Sequence, residues 1–133
     1  MDGERPAMRS DAFRAAAESK SFAGIEDLVA EDCTFRSPVV YKPYEGRDAL
    51  RVILTAVSQV FEDFRYVDQL EDGDTEILRF STTVDEREIE GVDILKFNDD
   101  GQIRELTVMV RPMSGMHALA ERMREMLEAA GAA

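Results

Sequence analysis

A single cysteine, a single histidine and no tryptophan stand in a chain of 133 residues. One cysteine excludes an internal disulfide, so the core alone has to hold the fold, and a reducing, cytoplasmic setting is the plain expectation. One histidine with no second histidine or cysteine near it leaves a metal site without its usual ligands, so no metal is expected. Basic residues are short as well: 16 Lys and Arg face 28 Asp and Glu, for a net charge of −12. A surface this acidic repels phosphate backbones and anionic headgroups, which argues against nucleic acid and membranes as partners. No apolar run approaches the roughly twenty residues of a membrane-spanning helix. The opening Met1-Asp2-Gly3-Glu4-Arg5-Pro6 is too polar for a signal peptide. No motif calls for a nucleotide or flavin either, and no cofactor is expected.

What is present reads as one ordinary domain over residues 1–133, since no repeat or linker divides the chain. Hydrophobic residues at 44% are enough for a proper core and exclude a disordered tail or a fibre. Apolar residues at helical spacing (Met8, Ala12, Phe13, Ala16, Ala17) predict a helix over residues 6–20, and Ile25, Leu28 and Val29 a short second one after Gly24. Residues 32–38 alternate as a strand until Pro38 stops it. Leu50, Ile53, Leu54, Val57 and Phe61 form one stripe of a long helix over residues 46–61. Four strands follow, over residues 64–70, 76–84, 87–97 and 102–111. Acidic, glycine-bearing turns at 71–74 and 98–101 predict antiparallel hairpins, while the turn at 84–87 is less marked. Met116, Leu119, Ala120, Met123, Met126 and Leu127 close the chain as an amphipathic helix. This order predicts an α+β fold in which a curved antiparallel sheet of about five strands wraps around the long helix and encloses a conical space.

Three strings, with that order, carry a family resemblance. They are Val29-Ala30-Glu31-Asp32-Cys33-Thr34-Phe35-Arg36-Ser37-Pro38, Glu45-Gly46-Arg47, and Val92-Asp93-Ile94-Leu95-Lys96-Phe97-Asn98-Asp99-Asp100-Gly101-Gln102-Ile103. They resemble the nuclear transport factor 2-like superfamily, in its SnoaL-like and ketosteroid-isomerase-like branch. The resemblance implies a cone-shaped, cystatin-like fold and covers residues 11–111. It also implies catalytic positions. The isomerases' proton-shuttling carboxylate would fall on Ser37, a hydroxyl too weak for that work, and their oxyanion-binding tyrosine on Phe13. Their protonated aspartate falls on Asp93, so one of three roles survives and steroid isomerisation by that route is not expected. The arginine-and-two-aspartates arrangement of the epoxide hydrolases of this fold is absent: Arg79 and Ser81 stand on one strand and the last strand has no aspartate. A SnoaL-type cyclase needs a cavity acid, which Asp93 supplies.

Asp93 shares a strand face with Gly91, Leu95 and Phe97 by period two, so it points inward if they do. A buried carboxyl has to be paired, hydrogen-bonded or protonated. It serves either as a general acid or donor to a ligand oxygen, or as a structural group satisfied by Tyr41, Tyr44 or a backbone amide. Tyr41 and Tyr44 bracket Lys42-Pro43 near the rim, where they cover a ligand or simply pack a loop. Arg111 reads as an ion-pair partner, His117 as a surface or packing residue and Cys33 as a buried inert thiol. The methionines, Met113 included, read as core or dimer contacts, and the acidic turns lack the spacing of a calcium loop.

Two functions remain open. One is a small-molecule protein binding an apolar, oxygen-bearing ligand in the cone, in its enzymatic form an isomerase, cyclase or hydrolase with Asp93 as general acid and Thr82 or Tyr41 assisting. Phe13, Phe35, Ser37, Tyr44, Val57, Phe61, Phe80, Leu95, Val108 and Val110 would line that cone. The other is a non-catalytic interaction module, its cone plugged by Phe13, Phe35, Phe61 and Phe80. In both, the resemblance implies a homodimer through the outer sheet face carrying Glu88, Glu90, Thr107, Met109 and Arg111.

Overall fold

The computed structural model describes residues 6–129. Its elements run α1 (Asp11–Ser19), α2 (Ile25–Leu28), β1 (Val29–Arg36), β2 (Tyr44–Glu45), α3 (Arg47–Val60), β3 (Glu62–Asp72), β4 (Thr75–Val84), β5 (Arg87–Phe97), β6 (Ile103–Arg111) and α4 (Met113–Ala129). The fold is α+β, one curved, unclosed sheet with helices on its concave side. The sheet order is β2-β1-β6-β5-β4-β3.

Four details correct the expectation. The sheet has six strands rather than about five, because Tyr44 and Glu45 pair with Phe35 and Thr34. It is also not wholly antiparallel. β1 lies beside the last strand, β6, and runs parallel to it. The first helix starts later than the spacing predicts, at Asp11. Ahead of it the Asp11 carboxylate accepts from the Met8 N–H at 3.0 Å and the Asp11 N–H bonds back to the Met8 carbonyl, a turn rather than a helical start. Val29, expected to end α2, begins β1.

The hairpins follow their turn residues. Gly73 and Gly101 take positive φ, 62° and 80°, between β3 and β4 and between β5 and β6. At the β4–β5 turn Asp85 (φ 50°) and Glu86 (φ 66°) adopt the double left-handed form that favours Asn-Gly or Asp-Gly. Glutamate in the second place is why this turn is poorly marked in the sequence.

Alternation sends Leu78, Phe80, Thr82 and Val84 of β4, and Ile89, Gly91, Asp93, Leu95 and Phe97 of β5, to the concave side. They meet Leu50, Ile53, Leu54 and Val60 of α3 and Leu119 of α4 in one core. The N-terminus of α1 is tied to that core by a fully buried glutamate: Glu76 Oε1 accepts from the Ser10 N–H at 2.9 Å. On the convex side Arg79 bridges Asp68 and Glu90, and Arg111 bonds Glu90 at 2.6 Å, around an exposed Met109. No helix among the described residues is long and apolar enough to cross a membrane.

Candidate functional site

Between the sheet's concave side, α3 and α4 lies an open hollow of about 990 Å³ with mostly apolar walls. Its lining includes the rings of Phe13, Phe35, Phe61 and Phe80, which border the space without filling it. Ser37, Tyr44, Val57, Val108 and Asp93 line it as well. Four residues expected there do not. Tyr41 is fully exposed (100%), at the tip of the loop between β1 and β2. Thr82 is buried with its hydroxyl donating to the Glu62 carbonyl at 2.7 Å, so it is used up in the β3–β4 pairing. Leu95 is wholly enclosed beyond Asp93, and Val110 packs against the core.

Asp93 owes its position to a missing side chain. Phe80 is paired with Gly91, and a Cβ on Gly91 would sit 2.6 Å from the Phe80 ring and 2.4 Å from the Met109 carbonyl oxygen. Because Gly91 has none, Phe80 settles over the strand there. Tyr66, on the far side of Phe80 and edge-on to it, then reaches across β4. Its hydroxyl donates to Asp93 Oδ2 at 2.6 Å. Among the described residues this is the one hydrogen bond that the Asp93 carboxyl takes.

The partner of Asp93 is therefore Tyr66, not Tyr41, Tyr44 or a backbone amide. The signal for Tyr66 was present in the sequence: Phe64 and Tyr66 alternate inward at the start of β3, before the register shifts between Tyr66 and Asp68. Phe64 also lines the hollow and stacks on Phe61 at 5.4 Å.

Burial dominates the electrostatics here. Asp93 is 7% exposed, and taking its charge out of water pushes its pKa up from 3.8 to about 7, against the smaller opposing pull of the Tyr66 hydrogen bond. Tyr66 is held well above its ordinary value by burial and then by the neighbouring Asp93 charge. Below neutrality Asp93 is thus a carboxylic acid. With Oδ2 accepting from Tyr66, Oδ1 can carry the proton and donate it into the hollow.

Ser37 has a different task. Its Oγ accepts from the N–H groups of Val39 (3.0 Å) and Val40 (2.9 Å), turning the chain after β1. His117 is exposed at the rim on α4, and Met116 and Met123 of the same helix line the space. Met126 packs against the core and Met113 is exposed. Cys33 is buried in the core, and burial raises its thiol pKa. Among the described residues no three His, Cys, Asp or Glu side chains gather as a metal site would need.

Residues 11–106 match the SnoaL-like domain. The chain belongs to the SnoaL-like family. It is similar to a steroid delta-isomerase from Pseudomonas aeruginosa, with 42% identity over 94% of this chain and 93% of that one and a TM-score of 0.89. An uncharacterised bacterial protein with a cystatin-like fold, from Silicibacter pomeroyi DSS-3, is 31% identical over 96% of this chain and 89% of its own, with a TM-score of 0.87. No curated protein matches the chain.

Proposed function

We propose that this SnoaL-like protein binds an apolar ketone, enone or epoxide in the hollow and polarises its oxygen with protonated Asp93. The observation that carries the reading is a buried carboxyl, with pKa about 7 and one tyrosine partner, on the wall of an apolar space of about 990 Å³. An acid kept neutral at physiological pH donates a hydrogen bond where an ordinary aspartate only accepts one. The 42% identity to a steroid delta-isomerase supports a carbonyl ligand. Ser37 supplies no proton-abstracting base, so the chemistry that fits is acid-assisted: ring closure, epoxide opening, or an isomerisation whose base comes from the substrate.

The phenylalanines border the space rather than occupy it, which supports the ligand reading over the interaction module. A thermal-shift panel of phenols, enones, lactones, epoxides and steroids tests the proposal. A ligand at a hundred times its dissociation constant stabilises the fold by about 2.7 kcal/mol. A stabilising carbonyl compound whose effect is lost in Asp93→Leu, which keeps the branched shape and donates nothing, is the expected result. A panel without a hit, or a hit indifferent to Asp93→Leu, overturns it.

A further inference from the structure

Lys20 follows α1 in the left-handed region (φ 60°), its N–H capping the carbonyls of Ala16 and Ala17. Glycine is the usual occupant of such a position, since any side chain is strained there. A lysine stands here instead, and its side chain reaches across to donate to the Phe61 carbonyl at 2.9 Å. That contact places the ammonium among the groups lining the hollow. Among the described residues it uses one of the three N–H donors of an ammonium.

Past Lys20 the surface continues as a groove between the α1–α2 link and α3, sharing Lys20, Phe22 and Ser58 with the hollow. Ser21, Arg51, Thr55 and Gln59 complete its polar wall. No carboxylate lines it, although acids outnumber bases 28 to 16 in the chain. Arg51 is held by Glu26 and Asp48, which do not line the groove, so its guanidinium adds a field more than a free donor. The opposite rim differs: on α4 the Arg124 guanidinium bonds both Glu121 and Glu128 and is neutralised.

We infer that this groove seats the anionic end of the ligand, a carboxylate, while the apolar carbonyl-bearing body fills the hollow. The inference rests on the proposed ligand site and adds the ligand's class: amphipathic, with a ketone at one end and an anion at the other. The two unused N–H groups of Lys20 and the side-chain donors of Ser21, Thr55 and Gln59 are the groups such an anion takes.

The test uses ω-(4-acetylphenyl)alkanoic acids of graded chain length beside their methyl esters, with binding followed by calorimetry. The ester carries the same ketone and chain without the charge. At one chain length the acid binds at least tenfold more tightly than its ester, despite the net charge of −12. That gain shrinks with added salt, disappears in Lys20→Met and persists in Lys20→Arg, while ester affinity stays level and reports an intact hollow. Esters that bind as well as acids at every length, or a gain that survives Lys20→Met, overturn the anion groove and leave the ligand site standing. If neither acids nor esters bind, the ligand site itself fails and the groove with it.

Discussion

Asp93→Asn stabilises the protein in alkaline solution and does little in acid. The Asp93 carboxyl has a folded-state pKa of about 7 against an ordinary 3.8, so the native state holds its proton longer than the unfolded chain. A group raised in this way gives its full contribution below the unfolded value, and that contribution is lost as pH rises through the folded one. The loss runs from about pH 4 to about pH 7 and is complete above. A tenfold difference in proton affinity between the folded and unfolded states is worth about 1.4 kcal/mol, so the stability difference between Asp93→Asn and wild type grows by about 3 kcal/mol from about pH 5 to about pH 8.5. Urea unfolding of both proteins at the two pH values measures it. Comparing variants removes the pH dependence of the remaining acidic surface, which both share. A difference that stays constant with pH would mean that Asp93 is an ordinary ionised carboxylate in the folded protein.

Ketone binding in the hollow switches off above neutrality. If the ligand oxygen accepts from protonated Asp93, only that form binds well, and affinity falls tenfold for each further step of one in pH once the proton is lost. With the break at about 7, the dissociation constant of an uncharged ketone rises about a hundredfold from pH 6 to pH 9. Tyr66→Phe sharpens the test. The tyrosine bond stabilises the ionised carboxylate, so removing it moves the break to higher pH. Were Tyr66 instead the group that donates to the ligand, the variant would lose affinity at every pH and the break would stay put. Calorimetric titrations of one neutral ketone against the three proteins separate the cases: wild type breaks near 7, Tyr66→Phe higher, and Asp93→Asn, whose amide donates at every pH, binds without a break.

Keeping Asp93 costs stability that an asparagine would return, and a fold retains such a cost most readily where it serves a site. The same holds on a smaller scale at Lys20, whose left-handed backbone would suit glycine better.

The elements with strong periodicity were legible from the chain. The stripe from Leu50 to Phe61 marked α3, and alternation along β5 placed Asp93 inward with Leu95 and Phe97. What escaped depends on pairing that no local pattern encodes. The partnership of β1 with β6 joins strands separated by about half of the chain, and β2 is two residues long. Tyr66 faces inward by alternation, but its pairing with Asp93 was hidden for a related reason. Its hydroxyl meets Asp93 only because β3, β4 and β5 are neighbours and Gly91 leaves Phe80 room to settle. Tyr41 misled in the opposite direction, because nearness in sequence to a rim says nothing about which way a loop residue turns.

The proton that Asp93 holds up to neutrality inside the hollow can be observed on its own carbon. Carbon-detected NMR of the aspartate side-chain carboxyls, with Asp93 assigned by its absence in Asp93→Asn, follows that proton directly through a pH titration. A midpoint near 7 is expected for a carboxyl buried as Asp93 is. A midpoint near 4, among the exposed aspartates, would contradict it and leave the hollow without its acid.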